Sequence, residues 1–557
     1  MENTRLLLCA AAWLAFAANP LSTMWSVLED NPRPRIPPQA FEVFSKEAWD
    51  KSNFATPEEM QWFRDAKYGR FFHFGLSTYK NAELSWGICQ VRVAPDKGAC
   101  PYPSAEWTAW KDEFRIPDFD AKQLVQNTQD AGMKYIVVIA KHHDCLSLWD
   151  TQASDHKITY PLSPYGKDIV GQLAAATRAA SLRFGVYYSQ PDWIHPDAFS
   201  ERQANYLAYL EQQVRELMTH YGQIDIVWFD GLGKKPEEYG SVALNKIIRE
   251  LQPQALINNR NASHEDFDTP EQSVGTMEDK RPWKTCLPIG RSWSSRPDEK
   301  LKSLDECVRI LVSTVTGGGN LLFNFGPVPD GRIEPRQVAR LTEIGAWMTR
   351  NGIALYNTRV GPCANGSWGG STCRDRTIYV QLLKPPINNR IRLAALPHRI
   401  TSARRLHGTA PVNFTQTDTA VTLDLGTNPN QGTVTIPELT AAAPVAPYQI
   451  IGSAAGQFDD QYAFGTAQEV TAFSAVQIDF SAHNSNADIF VERSADVEKW
   501  NEVYRGSYGL AHWEITLTRF FTGIQQPGIP ARYVSVSGDF GTRPSSLQLG
   551  KFALYAT

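Results

Sequence analysis

The stretch 224–231 is the feature that most constrains how this chain folds. It reads Ile-Asp-Ile-Val-Trp-Phe-Asp-Gly, and such a nearly continuous apolar run is typical of a strand buried on both faces of a parallel sheet. Apolar residues at helical spacing predict a helix before it, ending near Gly222. Asp230 therefore falls at the carboxyl end of a buried strand, where α/β barrels carry their chemistry. On residue type alone, such an aspartate more often caps a helix or opens a turn.

The same arrangement recurs throughout the region 62–351. Short apolar runs alternate there with amphipathic helical patterns, which favours a (β/α)8-like barrel over a doubly wound sheet. Not all eight repeats can be counted, so a distorted barrel remains open. The predicted strands are 70–75, 135–140, 184–189, 224–230, 255–258 and 320–325, and helical patterns cover 169–182, 242–251 and 307–315.

Short alternating segments punctuated by Pro, Asn and Gly follow the barrel region and are typical of antiparallel sheets. The predicted fold class is α/β, a (β/α)8-like barrel followed by two all-β sandwich domains. The second sandwich resembles galactose-binding-like or discoidin-type modules. Its loop aromatics could attach to carbohydrate, or the module could only pack against the barrel. The predicted boundaries are 1–18 for a signal peptide, 19–351 for the barrel with a proline-rich lead-in, and 352–440 and 448–557 for the sandwiches.

The N-terminus has the pattern of an export signal. Arg5 precedes an apolar run, and small residues follow that run at a possible cleavage site. The run is too short to span a bilayer, and no later stretch approaches the length of a transmembrane helix. We therefore predict an exported protein (secreted, periplasmic or in a lysosome-like compartment) with no membrane span. A net charge of −4 gives no reason to expect nucleic acid as a partner.

Two pairs of cysteines stand close together in the sequence, Cys89 with Cys100 and Cys363 with Cys373. In an oxidising compartment each pair could close a small loop through a disulfide. No cysteine or histidine cluster has zinc-site spacing. We therefore expect no metal and no cofactor.

Polar residues follow one predicted strand after another. Because the carboxyl ends of barrel strands meet at one rim, these side chains should line a common pocket. His142 and His143 are adjacent, so strand alternation should point them to opposite faces, which disfavours a shared metal. Alternation also says that only one of Tyr187 and Tyr188 faces the interior. The residues at strand ends are His73, His142, His143, Tyr187, Tyr188, Asp230, Asn259 and Arg260.

The residue types in this pocket narrow the reaction. Signatures of serine hydrolases, nucleotide binding and dinucleotide binding are missing from the sequence. Histidines, an arginine, tyrosines, tryptophans and carboxylates suit a neutral, polyhydroxylated ligand. Glycoside cleavage needs two carboxyl groups. Asp230 is the first, Glu271 on the loop after the next strand is the leading second, and Glu278 is the reserve.

Several long motifs resemble those of the α-L-fucosidases of glycoside hydrolase family 29. The resemblance covers the barrel fully, the next sandwich in general form and the final module loosely. The motifs are WFRDAKYGRFFHFG at 62–75, AEW at 105–107, KYIVVIAKHHDCLSLWD at 134–150, FGVYYSQPDW at 184–193, IDIVWFDG at 224–231, NNR at 258–260 and NLLFNFGPVPDG at 320–331.

The resemblance implies a role for each matching residue. Asp230 matches the catalytic nucleophile. Glu271 fits the Thr-Pro-Glu pattern at which a bacterial branch carries the acid/base, a residue that the family does not place uniformly. The family's frequent W-E-T-C has Lys284 at its second position here, and a lysine cannot serve as that carboxylate. Residues matching positions that bind the fucose ring are His73, Glu106, Trp107, His142, His143, Tyr188, Trp228 and Arg260.

The implied activity is release of terminal α-L-fucose from fucosylated oligosaccharides or glycoconjugates by double displacement with retention. The proton donor would need a raised pKa, from burial or from the charge of Asp230. Two alternatives remain open at this point. One is a barrel glycosidase for another terminal sugar, and the other is a catalytically silent carbohydrate-binding protein.

Overall fold

The computed structural model of the chain describes most of 54–446, and beyond it the backbone of the β-strands between 450 and 555. The predicted signal peptide, most of the lead-in, Cys89, Cys100 and Glu278 lie outside the described residues. The gaps before 447 are 83, 89–101, 232–235, 262–264, 273, 275–280, 364, 366–367, 384–385, 387–388, 395, 397, 408–410, 419 and 427–432.

Seven parallel strands form the wall of a barrel, in the order β5-β4-β3-β2-β1-β7-β6. Nearly every residue in them is buried, because side chains fill the interior and helices cover the outside. Each of the six predicted strands is confirmed, and β6, which begins with a lysine, was not predicted. The strands are β1 Tyr68–Phe72, β2 Tyr135–Lys141, β3 Arg183–Tyr188, β4 Ile226–Phe229, β5 Leu256–Ile257, β6 Lys284–Pro288 and β7 Asn320–Asn324.

The segment 266–272 fills the space between β5 and β6 and runs parallel to both. The amide of Asp266 donates to the carbonyl of Ile257 at 3.0 Å, and the amide of Lys284 donates to the carbonyl of Asp268 at 2.8 Å. Within the described residues no helix separates this segment from β5 or from β6. The barrel is therefore distorted, and its eighth position is an irregular segment that carries Glu271.

Helices connect the other strands on the outside of the barrel. The ends have local causes: Ser303 and Glu306 form a capping box before α9, and Gly222 adopts a φ of 69° after α6. No helix in the described part of the chain has the length and hydropathy needed to cross a membrane. The helices are α1 Pro57–Ala66, α2 Leu76–Tyr79, α3 Ser104–Ala109, α4 Ala121–Asp130, α5 Ile169–Ala179, α6 Gln203–His220, α7 Pro236–Tyr239, α8 Ser241–Leu251, α9 Leu304–Thr316 and α10 Pro335–Asn351.

Two antiparallel sheets follow the barrel and share one apolar core. Val380 and Leu439 of one sheet belong to the same buried cluster as Leu393 and Val421 of the other. The sheet orders are β12-β15-β10-β9-β8 and β11-β14-β13. The strands are β8 Arg359–Val360, β9 Gly369–Arg374, β10 Thr377–Leu382, β11 Arg390–Ala394, β12 Ile400–Arg405, β13 Asn413–Gln416, β14 Ala420–Asp424 and β15 Pro437–Ala441.

Cys363 and Cys373 lie in this sandwich core as free thiols, so they do not form the disulfide that their spacing allowed. The thiol of Cys373 donates to the carbonyl of Val360 at 3.2 Å. Burial raises the pKa of Cys363 to about 12 and that of Cys373 to about 11. Both thiols therefore stay protonated at neutral pH and pack as small apolar side chains.

The last described strands form two further antiparallel sheets, as the alternating sequence predicted. Their orders are β16-β23-β18-β21 and β17-β22-β19-β20. The galactose-binding-like assignment of this region remains a prediction. The strands are β16 Ile450–Ala455, β17 Tyr462–Ala463, β18 Ala475–Ala482, β19 Asn486–Ser494, β20 Asn501–Gly509, β21 Leu517–Thr522, β22 Tyr533–Asp539 and β23 Leu547–Tyr555.

Candidate active site

Asp230 lies directly after β4 and is only 5% exposed. Trp228 and Asp230 share the inner face of the barrel wall, because side chains alternate along a strand. The hydroxyl of Tyr187 donates to Asp230 Oδ2 at 2.6 Å, and Arg260 Nη1 donates to Oδ1 at 3.1 Å. His143 Nε2 lies 3.7 Å from Oδ2. Asp230 is thus a buried carboxylate whose two oxygens both receive donors.

Arg260 joins Asp230 to Glu271. Its Nη2 lies 2.8 Å from Glu271 Oε2, while its Nη1 holds Asp230. Hydrogen bonds to the side chain and carbonyl of Thr269, at 2.8 and 3.1 Å, fix the plane of the guanidinium group. Burial alone would lower the pKa of Arg260, but the carboxylates of Glu271 and Asp230 raise it above its ordinary value. Arg260 is therefore a permanent cation between two carboxylates.

Glu271 reaches this cation from the segment 266–272. Its side chain is 15% exposed, and its backbone pairs with Cys286 of β6. The structure therefore brings together the two carboxyl groups that the sequence proposed as a pair. The contact with Arg260 favours the ionised form of Glu271. Glu278, the reserve, lies outside the described residues.

His142 and His143 both reach the pocket, so the expectation that they point to opposite faces is wrong. They follow the end of β2 at Lys141, and the alternation of a regular strand no longer applies there. Ser85 Oγ lies 2.6 Å from His142 Nδ1, and Ser189 Oγ lies 2.5 Å from His143 Nδ1. The two histidines and Asp230 place one ligand atom each within 4.8 Å of one another, so these three residues could hold a metal ion.

His73 follows β1, with its ring centre 6.4 Å from that of His142, and is held by β7. Its Nδ1 lies 2.9 Å from Asn324 Oδ1, and its ring packs 4.9 Å from the ring of Trp293. Burial lowers the pKa of His73 to about 4. The imidazole is therefore neutral at pH 7, and it can donate or accept a hydrogen bond without carrying charge.

Tyr187, not Tyr188, faces the pocket. The ring of Tyr187 stacks on that of His142, with centroids 5.7 Å apart and planes at 8°, and its hydroxyl reaches Asp230. Tyr188 points outward, where its hydroxyl donates to Gln213 of α6 at 2.8 Å. The structure therefore does not bring Tyr188 into the pocket, where the family resemblance had placed it. Strand alternation had already restricted the choice to one of the two tyrosines.

Trp228 forms the floor of the pocket. Its ring stacks on Tyr187 at 5.3 Å, and the Arg260 guanidinium carbon lies 4.8 Å from its centroid. A ring in this position offers an apolar face to a sugar and an attractive surface to the cation.

Trp107 and Glu106 lie together on α3 but differ in environment. Trp107 is buried, and its indole nitrogen donates to Asp144 Oδ2 at 3.0 Å, next to His143 in the sequence. Burial raises the pKa of Asp144 to about 6, and the bond from Trp107 opposes that rise. Glu106 is exposed, and within the described part of the chain no hydrogen bond or ion pair joins it to the pocket.

Lys284 lies in the interior of the barrel, at a position that the sequence did not reveal. It is fully buried at the start of β6, with Nζ 5.7 Å from the ring centre of Trp228 and 4.8 Å from that of Phe267. Burial lowers its pKa well below the ordinary value. Among the described residues its amine has no hydrogen-bond partner. The only sequence signal was a lysine at an otherwise strand-like position.

The arrangement combines a hydrogen-bonded carboxylate, a second carboxyl group on the same cation, three imidazoles and an aromatic floor. Such a site can bind a polyhydroxylated ring and present a carboxylate to one of its carbon atoms.

A family model described as alpha-L-fucosidase matches residues 40–353, which include this whole site. The plasma alpha-L-fucosidase of Homo sapiens is 30% identical over 365 residues, which cover 59% of this chain and 77% of that protein.

Solved structures share the fold. Alpha-L-fucosidase isoenzyme 1 from Paenibacillus thiaminolyticus has a TM-score of 0.62 and 30% identity, covering 69% of this chain and 99% of that one. The alpha-fucosidase of Thermotoga maritima in complex with a mechanism-based inhibitor has a TM-score of 0.58 and 26% identity, covering 71% and 99%.

Proposed function

Because this chain belongs to the alpha-L-fucosidase family and is a glycoside hydrolase, we propose that it is an exo-acting α-L-fucosidase that releases terminal α-L-fucose with retention of configuration. The observation that carries the proposal is the Arg260 guanidinium group bound to both Asp230 and Glu271. Retaining glycosidases need two closely spaced carboxyl groups, about 5–5.5 Å apart, whereas inverting ones leave room for a water. Two carboxylates on one guanidinium group favour the shorter spacing.

Asp230 is the nucleophile in this proposal. One of its oxygens forms a bond to C1 of fucose while the bond from C1 to the leaving oxygen breaks. Tyr187 and Arg260 keep Asp230 ionised before the attack, because both donate to its oxygens at 2.6 and 3.1 Å. Burial excludes competing water until the glycosyl-enzyme has formed.

Glu271 is the acid/base. It gives a proton to the leaving oxygen in the first step and takes one from water in the second, when that water attacks C1 and frees Asp230. The contact with Arg260 suits the second step, since it stabilises the carboxylate. For the first step Glu271 must bind a proton, so its contact with Arg260 has to loosen as substrate enters. Glu278 is the alternative donor.

The fucose ring would be held by His73, His142, His143, Trp228 and Arg260. Tyr187 takes the place first assigned to Tyr188, since its hydroxyl lies at the nucleophile. The proposed role of Trp107 runs through Asp144, and that of Glu106 rests on the family resemblance alone. A site built to pair hydroxyl groups rejects analogues that lack them, so these residues would set sugar identity.

The proposal extends to localisation. The human relative is named a plasma alpha-L-fucosidase, which supports the export predicted from the N-terminal sequence. Expression of the full-length chain should place a protein that lacks residues 1–18 outside the cytoplasm of its own cells, and deletion of residues 2–18 should abolish that export.

Hydrolysis of an aryl α-L-fucoside tests the activity. Asp230→Ala should lower kcat by roughly 10⁴-fold or more. The matched control is Asp225→Asn at the opposite end of the same strand, where Asp225 accepts from Arg183 at 2.7 Å. That change should affect stability and leave kcat near wild type, because the amino-terminal face of a barrel is structural. Release of a different aryl sugar, or of none, would contradict the proposal.

Rescue and leaving-group experiments test the two roles. Asp230→Gly with azide should regain turnover and form a glycosyl azide, and failure to do so would count against the nucleophile. Glu271→Ala should spare a substrate with a good leaving group more than a natural glycan. An equal loss on both would move the acid/base to Glu278.

A further inference from the structure

A second hollow opens at the same end of the barrel, in the sector that the proposed site leaves unused. Its volume is about 380 Å³, within the range of small-ligand sites. Its walls come from the loops that follow β1, β6 and β7. The lining residues are Asn81, Ser295, Arg296, Pro297, Asp298, Val328, Pro329, Glu334 and Arg336.

The hollow adjoins the pocket of Asp230 through Trp293 and Gly326. The ring of Trp293 packs 4.9 Å from His73, and Trp293 precedes the lining residue Ser295 by two positions. A Cβ atom on Gly326 would lie 2.9 Å from the carbonyl oxygen of His73 and 3.9 Å from the amide of Ser295. The wall of the hollow and the backbone of a proposed sugar-binding residue therefore meet at one glycine.

The order of strands around the barrel shows where this hollow lies relative to Glu271. His73, the histidine pair, Tyr187, Asp230 and Arg260 follow β1 to β5, and Glu271 comes from the segment between β5 and β6. Continuing past Glu271, the next two loops are those after β6 and β7, which line the hollow. The acid/base of a glycosidase stands at the leaving oxygen. The group attached to that oxygen must therefore extend from Glu271, and the hollow lies on that side.

The chemistry of the lining suits an uncharged sugar. Arg336 pairs with Glu334, and Arg296 donates to the carbonyl of Asn81 at 2.7 Å. Two arginines and two carboxylates leave no net charge among the lining side chains. Pro297, Pro329 and Val328 add apolar surface of the kind that contacts the C–H face of a pyranose.

Building on the function proposed above, we propose that this hollow is the leaving-group subsite and binds the neutral sugar residue to which the terminal fucose is attached. The enzyme would then act on fucosylated oligosaccharides faster than the bare fucose pocket allows. Binding energy from this remote part of the substrate would contribute to the chemical step as well as to affinity.

Filling the hollow separates this subsite from the fucose pocket. Val328→Trp puts an indole into it, and the control Val242→Trp adds the same bulk at a 75% exposed position on α8. The substrates are α-L-fucosyl fluoride, which has no leaving sugar, and the neutral trisaccharide 2′-fucosyllactose. We expect Val328→Trp to lower kcat/KM on the trisaccharide about tenfold or more and to change turnover of the fluoride less than about twofold. Val242→Trp should leave both unchanged.

Equal losses on both substrates, or no loss on the trisaccharide, would overturn the subsite. A sialylated or sulfated fucoside that outperforms the neutral one and loses its advantage in Arg296→Ala would overturn the neutral-sugar assignment. If the wild-type chain cleaves neither substrate, the proposed activity fails instead. Lactose binding followed by NMR then decides the subsite, which stands if Val328→Trp abolishes binding that Val242→Trp retains, and falls otherwise.

Discussion

The inner and outer sides of the barrel wall both bury an arginine, and the two arginines have opposite surroundings. Arg260, on the inner side, contacts two carboxylates. Arg70 of β1, on the outer side, donates to the carbonyls of Phe325 and Leu124, both at 2.8 Å, and to Thr128 at 3.0 Å. Burial lowers the pKa of Arg70 to about 9, whereas that of Arg260 is raised. Burial is therefore common to both arginines, and the partner of the charge is what distinguishes them.

The first prediction compares the two arginines and has the largest expected effect. Arg260→Met removes the cation that holds both carboxylates, and kcat/KM on an aryl fucoside should fall roughly 10²–10³-fold. Loss of this positive charge should raise the pKa of Asp230, so the acidic limb of the pH–rate profile should move to higher pH. Arg260→Lys keeps the charge but cannot make the paired contact, and should recover only part of the activity.

Arg70→Met is the matched control for that comparison. It removes both Arg70 donors from the buried carbonyl of Phe325 and one donor from that of Leu124, and the free energy of unfolding measured in urea should fall by several kcal/mol, roughly 3–5. The fraction that folds should turn over substrate at the wild-type rate. A folded Arg70→Met protein with strongly reduced kcat would contradict the division between the two sides.

Tyr187 and Tyr188 repeat the comparison with neighbouring residues. Tyr187→Phe removes a hydrogen bond to the ionised Asp230, worth about 1.5–3 kcal/mol, so kcat should fall at least about tenfold. Tyr188→Phe removes a bond to the neutral Gln213 and should lower the free energy of unfolding by about 1 kcal/mol with kcat unchanged. The reverse pattern, with Tyr188→Phe inactive and Tyr187→Phe active, would restore the original assignment of Tyr188.

The strand pattern predicted where Asp230 lies but not which neighbouring side chains face it. The apolar run before Asp230 predicted a buried strand and placed the carboxylate at its end, and the structure agrees. The same pattern could not choose between Tyr187 and Tyr188, because alternation gives the spacing of a face and not its direction. Strand alternation did not apply to His142 and His143, because they lie just beyond the end of β2.

The segment 266–272 and β6 were harder to predict. The segment reads Asp-Phe-Asp-Thr-Pro-Glu-Gln, a polar composition with a proline that argues against a central strand. Its pairing depends on β5 and β6, which only the tertiary structure supplies. β6 was not predicted because it begins with Lys284. A lysine at the start of a strand usually indicates an exposed edge, but this lysine lies in the interior.

Buried basic groups on the inner and outer sides of the barrel wall should make stability depend on pH in two different pH ranges. Burial lowers the pKa of His73, on the inner side, to about 4 and that of Lys141, on the outer side, to about 8. In each case the unfolded chain binds a proton that the folded chain does not, between the folded pKa and the ordinary value of 6.5 or 10.5. Stability should therefore fall as pH falls from 6.5 to 4 and from 10.5 to 8, by at most about 1.4 kcal/mol per pH unit per group.

Substitution of each residue tests whether it causes the pH dependence in its range. His73→Gln should flatten the acidic window and leave the alkaline one, and Lys141→Met should do the opposite. Lys141→Met also unpairs Asp192, which lies 3.6 Å away, so the slope and not the absolute stability is the measurement. Urea midpoints across pH 4–10 provide it, and slopes unchanged in both variants would show that other groups bind these protons.

Lys284 gives the smallest expected effect. It also tests the comparison most directly, because it lies on the inner side and has no ion-pair partner among the described residues. If the partner decides the role, Lys284→Met should raise the free energy of unfolding by about 1–2 kcal/mol, since it replaces a buried unpaired amine with an apolar chain of similar length. The control is Lys302→Met, which should destabilise because that amine donates to the carbonyls of Pro288 and Gly290 at 2.8 and 2.6 Å. Turnover of Lys284→Met should stay within about twofold of wild type. A large loss of kcat with unchanged stability would contradict this prediction. It would mean that the Lys284 amine acts on the reaction directly although it has no carboxylate partner among the described residues.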